Sequence, residues 1–246
     1  MEKLVKSVNA LKFFYGGLSS EDKTQKDALQ SPNERQSHCN IVLESIISPS
    51  IRSLADYPGL LAVSVETLLQ SCADDNADVR LNANECLNRL IKGLYEISNS
   101  KILVELYKEI KKNGHPRSLR AALDRFSRLS HNIRSNKCRP YILNLLPCLC
   151  RISQREEDGV QETLGLSLVK IFKILGPFAS ESEIQGLLAS FLKNLSHKSA
   201  TMRRTACVCL HSVILNCRKQ NLVIGPLMNS ILDILLQRNT DRNTVL

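Results

Sequence analysis

The chain has 246 residues, 43% of them hydrophobic and 23% charged, with 4% aromatics and no Trp. That length accommodates one large or two ordinary domains with a substantial core, and the balance excludes an intrinsically disordered chain. The formal net charge is +9, which directs attention to anionic partners.

Nine cysteines are an odd number, and Glu2, Lys3 and Lys6 occupy the place where a secretory leader needs an apolar run. No window approaches the roughly 18 apolar residues of a membrane span. These features predict reduced thiols and a chain in the cytoplasm or nucleus. Cys148-Leu-Cys150 and Cys207-Val-Cys209-Leu-His211 look like metal ligands. On a helix, however, residues two apart point about 200° away from each other, so neither pair converges on one zinc. The reading is packing cysteines, no metal and no cofactor.

The first predicted element, EKLVKSVNALKFFY, places Leu4, Val8, Leu11 and Phe14 on one helical face. Residues 1–17 are therefore predicted to form an N-terminal amphipathic helix. Its apolar face has three destinations: a membrane surface, a partner, or the rest of the chain. Leu4, Val8, Leu11 and Phe13 also have the spacing of a nuclear-export signal. Residues 18–37 are rich in Ser, Asp, Lys and Gln and are predicted to be a flexible polar linker.

From residue 38 onward the pattern repeats. DVRLNANECLNRLI, SLRAALDRFSRLSH, GVQETLGLSLVKIF and TMRRTACVCLHSVI each follow a turn. Their second residues are Val79, Leu119, Val160 and Met202, and their third residues are Arg80, Arg120, Gln161 and Arg203. A second set of helices is predicted between them at Leu60–Cys72, Ile102–Lys112, Tyr141–Ile152 and Glu183–Leu195, with a fifth near Leu222–Gln237. An earlier copy is expected near His38 with Ile41, Val42 and Ile46 as its stripe. A unit of about forty residues built as a helical hairpin is the HEAT signature. The predicted fold is all-α, a HEAT-repeat α-solenoid of stacked antiparallel hairpins. It would span residues 38–246 in four to five repeats, the last incomplete, as the start of a longer protein.

The positive charge is concentrated. Residues 101–139 hold eleven Lys and Arg against three Asp and Glu. In the helix opened by Pro116, apolar Leu119, Ala122, Leu123, Phe126 and Ile133 share one face, with the arginines opposite. Lys108, Lys111, Lys112, Arg117, Arg120, Arg125 and Arg128 are the candidate basic interaction face. It suits an acidic segment of a partner or of the same long chain. The alternative is an anionic surface, either nucleic acid or acidic membrane, although stacking aromatics for nucleic acid are scarce. No Gly-rich phosphate loop, HExxH or nucleophile–base pair is present, which predicts no enzyme.

Several phrases carry a family resemblance. ELYKEIKKNG, PRSLRAAL, KCRPY, LNLLPCL and VQETL, together with the opening EKLVK and LKFF, resemble the N-terminal region of the huntingtin family. The departure is that no polyglutamine or proline-rich tract follows the first helix. The resemblance implies a non-catalytic protein–protein interaction scaffold in vesicle transport and autophagy adaptor assembly. It further implies a dedicated helical partner and transport adaptors as binding partners.

Overall fold

The computed structural model describes residues 1–16 and 31–216, and among these there are eleven α-helices and no strand. The chain divides into two compact units, Met1–Arg125 and Phe126–Leu246. The predicted helix at Leu222–Gln237, the incomplete last repeat and most of the predicted linker lie outside the described residues.

In the first unit, α1 (Glu2–Tyr15) is followed by α2 (Pro32–Ile47), a single turn α3 (Pro49–Arg52), α4 (Tyr57–Ser71), α5 (Ala77–Gly93) and α6 (Tyr95–Lys112). The next helix, α7 (Pro116–Leu129), contains the boundary between the units. Alternate helices stack: α1 and α6 both pack on α4, while α2 packs on α5, and α4 closes a hairpin with α5. Since α1 also packs on α2, α1 and α2 are the first hairpin of the same series. The solenoid thus begins at residue 2 rather than 38.

Two helix starts differ from the sequence expectation. Helix α2 starts at Pro32, so residues 32–37 are not linker. Ser31 and Glu34 form a reciprocal capping box, with Ser31 N–H donating to Glu34 Oε2 at 2.7 Å, and Pro32 occupies a first-turn position where no N–H is needed. Helix α6 begins seven residues ahead of its expected start, through a kink at Ser98 (φ −135°, ψ 17°), and ends at Asn113 in the left-handed region (φ 50°).

In the second unit, α8 (Ser135–Ile152) and α9 (Asp158–Leu175) form one hairpin, and α10 (Glu181–Asn194) and α11 (Ala200–Asn216) the next. First helices stack as α8 on α10 and second helices as α9 on α11. Ile133, predicted on the helix opened by Pro116, falls after the 3₁₀ turn Ser130–Asn132, although it is buried. The core is largely aliphatic, with Phe126, Phe172 and Phe191 as its largest fully buried side chains.

The repeat period is legible in the polar ties between helices. Asn82 Nδ2 donates to Gln36 O and Lys112 Nζ to Glu66, each across 46 residues. Arg125 donates to Asn84 and Asn194 to Ser153 O, each across 41. One repeat holds the next at matching positions, which is how a one-dimensional stack is stabilised.

Candidate interaction surfaces

The third residue of each repeat motif explains part of the basic charge. Arg80 Nη1 donates to Asp74 O and Asp75 O at 2.8 and 2.7 Å. Arg203 Nη1 does the same to His197 O and Lys198 O at 3.0 and 2.7 Å. Gln161 takes this role in its repeat, donating from Nε2 to Ile152 O and Arg155 O. A cation at this register ties together the carbonyls of the turn before its helix, which would otherwise need water. Arg120 occupies the same register and is exposed.

The other predicted basic residues separate into three groups. Arg125 does not belong to a surface: it is 7% exposed, and donates to Ala121 O at 3.0 Å and to Asn84 O and Oδ1 at 3.0 and 3.1 Å. Lys108 and Lys112 lie at the surface in ion pairs, Lys108 with Glu105 at 2.8 Å and Lys112 with Glu66 at 2.7 Å and Glu109 at 3.3 Å. Partial burial alone would pull the Lys112 ammonium down, but its hydrogen bonds and charge partners hold it above its ordinary value. The Glu66 carboxyl is held below its usual range by the Lys112 hydrogen bond, against partial burial. Lys111 and Arg117 are exposed in the first unit, and Arg128 is exposed in the second.

The predicted apolar face of α1 is occupied by the chain itself. Leu4 and Leu11 are fully buried and Val8 nearly so, while Phe14 is half-buried beneath the Arg35 guanidinium, 4.1 Å from its ring centre. In this structure that face is therefore not open to a membrane or partner. Its far end is fixed by Asp74, which is 3% exposed. Asp74 accepts from the Tyr15 hydroxyl (2.6 Å), Arg35 Nε and Nη2 (2.8 and 3.1 Å) and Asn76 N–H (2.7 Å). One carboxylate thus ties α1, α2 and the α4–α5 turn. Burial, then the Asp74 hydrogen bond, pushes the Tyr15 phenol well above its ordinary range. Sequence reading missed this node because Tyr15, Arg35 and Asp74 share no local motif.

Beside the node is an open cavity of about 460 Å³, lined among others by Phe14, Tyr15, Asp74, Asp75, Glu109 and Lys112. His115 and Ser118 also line it, and His115 Nδ1 accepts from Arg117 N–H at 3.2 Å. Among the described residues no group of three His, Cys, Asp or Glu could hold a metal ion. Burial raises the thiols of Cys39 to about 11 and of Cys72 and Cys86 to about 12, which leaves them protonated and unreactive at neutral pH.

Residues 68–219 match the family model described as "Huntingtin, N-terminal HEAT 1". The chain belongs to the huntingtin family. It is 42% identical over 242 residues to huntingtin from Takifugu rubripes, an alignment covering 96% of this chain and 8% of that protein. It is 24% identical over 288 residues to the HD protein homolog of Dictyostelium discoideum, covering 73% of this chain and 9% of that protein. The chain thus spans less than a tenth of the length of either relative. The huntingtin family match begins in the last turn of α4 and runs just past α11, taking in the repeats that carry the stapling Arg80, Gln161 and Arg203.

Proposed function

We propose that this chain is a non-catalytic protein-binding section of a huntingtin-type scaffold, serving the assembly of vesicle-transport and autophagy adaptors in the cytoplasm and on vesicle surfaces. The observation that carries this reading is the stacking of α2 on α5 and of α9 on α11, since stacked hairpins offer long ridges to other proteins rather than a closed pocket. The basic residues favour an acidic protein segment over nucleic acid. Lys108 and Lys112 are engaged by carboxylates and Arg125 is buried, so these three offer little free charge to phosphates. Membrane attachment through α1 requires α1 to leave its place on α2 and α4.

The test is proximity labelling in cells with the 246-residue chain fused to a labelling enzyme. The expected result is enrichment of motor adaptors and autophagy receptors over the labelling enzyme alone. A labelled set indistinguishable from that of the enzyme alone would overturn the proposal.

A further inference from the structure

In the second unit, the outward sides of α9 and α11 form a surface that neither the core nor the stapled turns use. Helix α9 packs on α11, and the two run in parallel. Near the middle, a β-carbon on Gly165 would lie 3.7 Å from Thr205 Cγ2 and 3.9 Å from Val208 Cγ1. At the end, Gly176 lies against Asn216. Leu166, Val169, Lys170 and Lys173 are all exposed and follow the i, i+3, i+4, i+7 spacing of one helical face. Arg204, Cys207, Val208 and His211 do the same on α11.

The exposures are large for apolar side chains: Leu166 is 70%, Val169 43% and Val208 39% accessible. Around them stand the exposed Lys170, Lys173 and Arg204, none of which is in an ion pair among the described residues, with Glu162 the acid at the N-terminal end of the α9 face. Exposed apolar residues in register on two neighbouring helices, bordered by exposed cations, mark a recognition surface better than scattered single residues would.

We infer that the α9–α11 ridge docks an acidic amphipathic helix of a partner protein, with its apolar stripe on Leu166, Val169 and Val208 and its carboxylates facing Lys170, Lys173 and Arg204. The charge on the ridge selects this occupant. A basic helix would meet the same cations, and an uncharged one would leave them without partners. The inference rests on the scaffold reading above and gives one of its surfaces a partner chemistry.

The experiment uses the full chain and a fluorescent designed 20-residue helix with leucines at i, i+3, i+4 and i+7 and glutamates on the flanks. Its controls are the same helix with lysine flanks and one with the leucine order scrambled. The wild type is expected to bind the glutamate-flanked helix at least tenfold more tightly than either control. Leu166→Asp should weaken that binding at least tenfold, and the double substitution Lys170→Glu/Lys173→Glu should shift preference to the lysine-flanked helix. Because these side chains are exposed, circular dichroism of the variants should match wild type. Equal affinity for all three peptides, or no loss with Leu166→Asp, overturns the inference. Concentration-dependent dimers that Leu166→Asp abolishes also overturn it, by assigning the ridge to a second copy. Adaptors that still label with Leu166→Asp and the double variant defeat this inference while leaving the scaffold reading intact, whereas a labelled set no different from the enzyme alone defeats the scaffold reading.

Discussion

Arg125 and Lys111 lie in the same basic stretch of the sequence, yet they do opposite work. Arg125 is buried with its guanidinium on the carbonyls of Ala121 and Asn84, whereas Lys111 is exposed. Arg125→Ala would remove the charged hydrogen bonds to Ala121 O and Asn84, at a cost of about 2 kcal/mol. Lys111→Ala should stay within about 0.5 kcal/mol of wild type. Urea denaturation of both variants checks this, and equal midpoints would contradict the placement of Arg125. A single helical wheel puts Arg125 opposite the apolar stripe of α7, which is why the sequence suggested a surface residue. In a stacked hairpin a second helix also packs against the previous second helix, so its nominally polar side is partly covered. Asn84, one repeat earlier, provides that cover. The staple at Arg80 and Arg203 was visible in sequence as a recurring arginine; its partners, two backbone carbonyls, have no sequence signature.

Glu183 is a residue of the second unit whose charge is tied to the fold. It accepts from Arg139 at 2.6 and 3.0 Å and from Ser180 N–H at 2.7 Å, completing the cap of α10. The Arg139 hydrogen bond, opposed by partial burial and aided by Ser180, holds its carboxyl at about 2. A carboxyl depressed in the folded state adds stability above its unfolded pKa of about 4.3 and loses it as pH falls through the folded value. Between about pH 5 and about 2 the unfolded chain binds more protons, so stability falls as pH falls. Thermal unfolding of wild type and Glu183→Gln across that window should show a shallower pH slope in the variant. Identical slopes would count against this role.

At the scale of the element, α1 takes one of the three destinations its sequence left open, the rest of the chain. Its periodicity was sufficient to define the apolar face of Leu4, Val8 and Leu11, and the structure buries that face on α2 and α4. What the sequence lacked was a destination, because α1 has none of the turn-plus-arginine wording that marks the later hairpins. Likewise Ser31-Pro32-Asn33-Glu34 reads as polar linker by composition, although it is a helix start by capping chemistry. The middle hairpins were legible because their apolar stripe recurs at a near-constant interval. If α1 is an integral helix of the first hairpin, Leu11→Ala should destabilise the chain by about 2–5 kcal/mol. The same substitution on a free arm would leave the unfolding transition unmoved. Vesicle binding by a peptide of residues 1–17 should exceed that of the whole chain, in which the face is covered.

At the scale of the whole molecule, stability in a stack of hairpins is a sum of local terms and nearest-neighbour contacts, so damage should stay local. Asp74 is a good place to test this, since its carboxylate joins α1, α2 and the α4–α5 turn and accepts two hydrogen bonds from Arg35, which is 7% exposed. Asp74→Ala takes the carboxylate from a buried guanidinium, which costs about 3–5 kcal/mol. Native-state hydrogen exchange should then show amides of α1, α2 and α4 losing protection by a comparable amount, while those of α10 and α11 exchange as in wild type. Replacing both partners with apolar residues, Arg35→Met with Asp74→Leu, removes the stranded charge and should restore much of the lost protection. Uniform loss of protection from α1 through α11 would mean that the chain opens as a single cooperative body. Loss confined to the first hairpins would show that each repeat is held chiefly by its neighbours, as the one-period spacing of Asn82–Gln36 and Arg125–Asn84 implies.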